Sequence, residues 1–328
     1  MRRFVALIVP LWVSMCVAAS AQSLPIALTT DPPPDRAHPA AMVTMLVPSN
    51  GTQLNAIMYI AAGAGPHPAI VLLHGFPGNE KNLDLAQAMR RAGWNVLYFN
   101  YRGSWGTPGA FSFTHTLEDT KAAIDLLRNP SNAAELRTDP KRIVLIGHSL
   151  GGFIAAYTAA HDESILGVGL ISAANLGGMS AAQGPEPVAV PRLSATFTNE
   201  GMEPLSGCTA DSLARETVTH RAQWNFNDYA SELAERPVLI VTSDDGLAGH
   251  GRVLASALHG KGSTLVTEKH FATDHSYSAD RLALEATVLN WLATLPQKPN
   301  SSGHRNVIER QHTNHMSSTV ATWMKPIH

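Results

Sequence analysis

Two cysteines in 328 residues leave little to cross-link. Cys16 falls in an N-terminal stretch that reads as a removable export signal, so Cys208 would stand alone in an exported mature chain and no intrachain disulfide is expected. Stability then has to come from burial. Basic clusters are also missing. The formal net charge is −2, or about −4 once Arg2 and Arg3 leave with the signal, and no run of lysine and arginine suits a phosphate backbone, which excludes nucleic acid as a partner. Fifteen histidines are present, yet none stands in a His-Glu-x-x-His or comparable ligand spacing, so no metal and no cofactor is expected. The apolar run at residues 4–17 is too short for a membrane span, and no stable span is expected after signal cleavage. Internal repeats are absent.

What is present suits a globular chain: 45% hydrophobic and 15% charged residues can build a real core. Residues 1–21 read as a signal peptide, with a basic start, the apolar run, and small residues before a cleavage point after Ala21. That reading predicts export, to the periplasm or the extracellular space. Residues 22–41 form a Pro-rich leader, whose stretch "DPPPDRAHPA" at 31–40 cannot sustain a helix and is expected to lie extended. The folded domain is expected at 42–295. The tail, 296–328, is polar and aperiodic and is expected to be disordered.

Within the domain, "MVTMLVPSNGTQLNAIMYI" is two alternating apolar runs around Ser49-Asn50-Gly51, the composition of a hairpin. The rhythm then changes. "AIVLLHG", "WNVLYFNYRG", "RIVLIG", "GVGLIS", "PVLIVTS" and "STLVTEKH" are short β-branched runs, most of them separated by helical patterns. Continuous apolar strands are what a parallel sheet covered on both faces requires, so the fold class is α/β, with a mostly parallel central sheet, an antiparallel N-terminal hairpin and helices on both faces. Residues 175–235 carry no strand signal and are too long for an ordinary connection, which predicts a lid insertion. Met179, Met202, Trp224, Phe226 and Tyr229 within it either line an apolar acyl pocket or pack the insertion onto the sheet.

The stretch "IVLIGHSLGGFIAAYTAA" raises the question of chemistry. A strand, a Gly-x-Ser-x-Gly turn at 147–151 and a helix follow one another, and this context holds the hydroxyl of Ser149 out from the carboxyl edge of the sheet, where open parallel sheets bind ligands. A serine nucleophile needs a base and a group to orient it. The chain order serine, acid, histidine points to "TSDDG" after the strand "PVLIVTS", with Asp245 preferred for its extra reach and Asp244 as the alternative acid. It then points to His275 in the loop after "STLVTEKH", with His270 as the rival. Oxyanion donors are expected from the amides of Leu150, which follows the nucleophile, and Phe76 in "HGFPGN". His74 reads as a structural hydrogen-bonding residue.

Taken together, "VLLHGFPGNEKN", "GWNVLYFNYRGSWGTPG", "GHSLGG", "RPVLIVTSDDG" and "TDHSYS" resemble the α/β-hydrolase superfamily over residues 43–295, especially its dienelactone-hydrolase-like and acylaminoacyl-peptidase-like branches. The resemblance implies the α/β-hydrolase fold, a Ser149–Asp245–His275 triad with an oxyanion hole at Phe76 and Leu150, and a structural role for Arg102. The adjacent pair Asp244-Asp245 departs from the usual single acid and leaves that choice open. The expected function is an exported serine hydrolase acting on a small-molecule carboxylic ester. An exopeptidase or amidase using the same triad is the alternative, and a non-catalytic binding module is the reading from another class. No propeller-like repeat precedes the site, which weakens the oligopeptidase version.

Overall fold

The computed structural model describes residues 23–296. The expected signal, 1–21, and all but the first residue of the expected tail, 296–328, lie outside the described residues. One sheet holds eight strands: β1 (Ala41–Ser49), β2 (Thr52–Ile60), β3 (His67–Leu73), β4 (Asn95–Phe99), β5 (Thr138–His148), β6 (Gly167–Ile171), β7 (Val238–Thr242) and β8 (Val266–His270). Their order is β1-β2-β4-β3-β5-β6-β7-β8. The pairs β1/β2 and β2/β4 are antiparallel, and every later neighbour is parallel. The hairpin turns at Asn50 and Gly51, both at positive φ, the conformation a tight two-residue hairpin needs.

Eleven α-helices and one short 3-10 helix, Phe226–Tyr229, accompany the sheet among the described residues. Ahead of the elbow lie α1 (Ile26–Thr29), α2 (Leu83–Arg91), α3 (Phe113–Arg128) and α4 (Pro130–Glu135). From the elbow onward come α5 (Leu150–Ala160), α6 (Leu176–Ala182), α7 (Glu186–Asn199), α8 (Ala210–Thr219), α9 (Ala230–Leu233), α10 (Ala248–Gly260) and α11 (Arg281–Thr294).

The two-residue period of the strands builds two core layers. Val71, Leu97 and Leu145 face a layer with Phe153 and Ile154 of α5, Ile124 of α3 and Leu254 of α10. Their chain neighbours Ile70, Leu72, Val96 and Val144 face Leu85 and Met89 of α2 and Val288 and Trp291 of α11. This is why β4, β6 and β7 are buried along their whole length and read as unbroken apolar runs. Each fully buried aliphatic side chain contributes about 1.5–3 kcal/mol, so these strands carry the fold.

Ahead of the Pro-rich stretch, residues 26–29 make one helical turn whose Ala27 is buried with α2, and Arg91 Nε donates to the Ala27 carbonyl. One expectation needs adjusting. The final strand is shorter than "STLVTEKH" suggests and begins at Val266. Between β6 and β7 the chain is helical, and α8 fastens this segment down. The Glu216 carboxylate of α8 accepts from the amides of Phe113 and Thr114 at 3.0 and 2.8 Å, placing a negative charge on the N-terminus of α3. Arg102 is structural as expected, since its amide and Nε donate to the buried Asp119 at 2.8 and 2.6 Å and so pin the loop after β4.

Candidate active site

The elbow is tighter than the motif alone suggests. β5 runs on to His148 and α5 starts at Leu150, so the turn consists of Ser149 alone, at φ 56° and ψ −117°. Two glycines make this possible. A Cβ at Gly147 would lie 1.9 Å from the Gly151 carbonyl oxygen, and one at Gly151 would lie 2.1 Å from the Leu73 carbonyl oxygen. Positive φ at a non-glycine residue costs roughly 1–3 kcal/mol and persists only where the surroundings impose it. Here the Ser149 amide donates to Ile171 O at 2.9 Å and its carbonyl accepts from Ala174 N at 3.0 Å, which locks the turn to the end of β6.

Ser149, Asp245 and His275 line one cavity of about 280 Å³ at the carboxyl edge of the sheet, together with Phe76 and Leu150. His275 Nδ1 stands 2.8 Å from Asp245 Oδ2, and the Asp245 side chain is only 3% exposed. The competing residues pair with one another instead. His270 Nε2 lies 3.2 Å from Asp244 Oδ1, with side chains 48% and 64% exposed. An exposed pair of this kind contributes about 0–1 kcal/mol. The Asp244 amide donates to Thr273 O at 3.0 Å, which ties the turn carrying both aspartates to the loop ahead of His275.

Behind Asp245 lies a set of hydroxyls that the sequence reading did not single out. Burial opposes its ionisation, but hydrogen bonds from His275, from the Ser172 and Ser243 hydroxyls and from the Leu247 amide outweigh burial and hold the carboxyl well below the usual carboxylate range. Ser172 is fixed in turn by Ser243 and by the Tyr277 hydroxyl, at 3.0 and 2.9 Å. A signal was available, since Ser172 and Ser243 follow "GVGLI" and "VLIVT" at the same sheet edge as the elbow.

Neither the Phe76 nor the Leu150 amide donates to a protein acceptor among the described residues. The cavity wall beyond them differs from the expected one. Of the five insertion residues named above, Met179 lines the cavity, while Trp224, Phe226 and Tyr229 are buried in the core layer beneath and Met202 packs at its margin. The wall is built instead by Phe113 at the start of α3 and by Thr196, Phe197 and Glu200 at the end of α7.

Two buried histidines flank the site. His148 Nε2 donates to the His275 carbonyl at 2.8 Å, and its bare Nδ1 has no partner. Burial, with nearby His275 in second place, drives its pKa down to about 3. His74 lies against Tyr101, with ring centroids 4.3 Å apart, and burial takes its pKa down to about 4. Both histidines stay neutral in the fold while the unfolded chain protonates near pH 6.5, so stability should fall as pH drops from about 6.5 towards 4. Each contributes up to about 1.4 kcal/mol per pH unit in that window. Urea unfolding at steps between pH 7 and 4.5 measures this slope. His148→Asn should flatten it by one histidine's share, and an unchanged slope would refute the assignment.

Comparison with known proteins follows the geometry. The model of the "Alpha/beta hydrolase family" matches residues 70–311. Over 118 residues the chain is 31% identical to the uncharacterized protein Rv2307c of Mycobacterium tuberculosis, covering 36% of this chain and 40% of that one. Over 136 residues it is 32% identical to the quorum-quenching protein AidA of Acinetobacter baumannii, covering 40% and 43%. The chain thus spans about two fifths of the length of these curated relatives. Among solved structures, an esterase from Pyrobaculum calidifontis superposes with a TM-score of 0.57 at 20% identity, covering 78% of this chain and 88% of that one, which is a likeness of fold.

Proposed function

The chain belongs to the alpha/beta hydrolase family, and on that premise we propose that it is a serine hydrolase that cleaves carboxylic esters through an acyl-enzyme on Ser149. The observation that carries the reading is the pairing of His275 with a buried Asp245 at 2.8 Å in the cavity that Ser149 also lines. With Nδ1–H donating to the carboxylate, Nε2 is left bare to take the Ser149 proton. The serine oxygen bonds to the ester carbonyl carbon, and the negative charge moves onto the carbonyl oxygen. In this reading the Phe76 and Leu150 amides, which have no acceptor of their own in the described structure, donate to it. The C–O bond to the alcohol then breaks, with His275 returning the proton to the leaving oxygen. Water, deprotonated by the same imidazole, cleaves the acyl-enzyme and releases the acid. Asp245 stays ionised throughout, because four hydrogen bonds hold its charge.

Esters are favoured over amides, because an alcohol leaves with little protonation whereas an amine demands well-timed acid catalysis and sites that position a peptide. The test is kcat/KM for p-nitrophenyl esters against matched aminoacyl anilides with purified protein. Esters should win by at least about tenfold, and faster anilide cleavage would make the peptidase reading the better one.

A further inference from the structure

Resting on that ester-hydrolase reading, we propose that the substrate is an ester whose acyl group carries a positive charge or none, and that Glu200 is the residue that selects it. The cavity beside Ser149 has an aromatic wall: Phe197 packs edge-on against Phe76 and Phe113, with ring centroids 5.4 Å apart in each pair. Leu176 and Met179 of α6 continue the apolar lining. Such a surface takes an acyl chain and disfavours any polar group at its far end that finds no partner.

The partner on offer carries one sign of charge. Glu200 caps the C-terminus of α7, one turn beyond Thr196 and three residues beyond Phe197, so all three lie on the helix face that borders the cavity. Its carboxylate enters no ion pair among the described residues, and no lysine or arginine lines the cavity. The other carboxylate there, Asp245, is already committed to His275. A cationic group at the end of the acyl chain therefore meets an unpaired carboxylate at the rim of an apolar cavity, a low-dielectric setting that strengthens the attraction. An anionic end meets only repulsion. The same field acts on the product, since hydrolysis turns a neutral acyl group into a carboxylate in a cavity with no cation to hold it.

The charge at Glu200 is solvent-exposed, so its effect is moderate and sensitive to salt. Three p-nitrophenyl esters of similar chain length share one leaving group and differ only at the far end: γ-trimethylammoniobutyrate, hexanoate and hemiadipate. In the wild type kcat/KM should fall in that order, with the cationic ester ahead of the anionic one by about tenfold at low ionic strength and by less at molar salt. Glu200→Gln should bring the ratio close to one, and Glu200→Lys should invert it. A cationic-to-anionic ratio that is the same in the wild type and both variants, while hexanoate is turned over, would overturn the assignment and leave the ester reading standing. If no ester is turned over and a fluorophosphonate fails to label Ser149, the ester reading falls and this inference with it.

Discussion

Ser149→Ala should lower ester turnover by about 10⁶-fold and abolish fluorophosphonate labelling, while the unfolding midpoint stays close to wild type. The size follows from serine proteases, in which removing the nucleophile costs as much as removing the whole triad. What remains is the contribution of the oxyanion donors and of binding. The fold should survive because backbone groups hold the elbow. The turn is held by the Ser149 amide and carbonyl and by the room left at Gly147 and Gly151, and none of these changes with the side chain. Alanine also bears the same positive φ as serine. Labelling that survives the substitution undiminished would sink the assignment, and unfolding of the variant would show that the hydroxyl is structural.

The second large effect separates two adjacent residues. Asp245→Asn should cost about 10⁴-fold in turnover, because an amide cannot hold the imidazole with its proton on Nδ1 and the bare nitrogen facing the serine. The site also loses a charge that the Ser172 and Ser243 hydroxyls, the Leu247 amide and His275 are arranged to satisfy. Asp244→Asn should leave turnover within a fewfold of wild type, since that side chain is 64% exposed and pairs with the exposed His270. Steady-state kinetics of the two variants decides the matter, and a crippled Asp244→Asn beside a healthy Asp245→Asn would reverse the assignment.

Much of this was legible without coordinates, for a definite reason. β4, β6 and β7 are buried on both faces, so composition alone marks them, and the elbow announces itself through glycines that have no steric substitute. The expected serine, acid and histidine all sit just beyond strand ends, where order along the chain predicts a shared sheet edge. The cavity wall was harder to read. Whether Phe197 or Trp224 faces the site depends on how α7 and the chain after α8 rotate against the sheet, and both are apolar residues in the same helical segment. Adjacent Asp244 and Asp245 look alike in sequence, and only their partners differ: Asp244 pairs with exposed His270 and Asp245 with His275.

The position of β8 has a consequence for durability. Among the described residues it is the last strand of the order and pairs on one side only, and every residue after Val266 in it is exposed. The loop that carries His275 begins where this strand ends. Free energies of local opening run from near zero at such margins up to the full unfolding value in the centre. An excursion that frees β8 from β7 displaces the imidazole and leaves the other seven strands paired. Amide exchange faster at 266–270 than at 143–148 is the signature of that hierarchy. The placement of His275 and global integrity are therefore two thermodynamic quantities in this molecule, and the smaller one belongs to the edge.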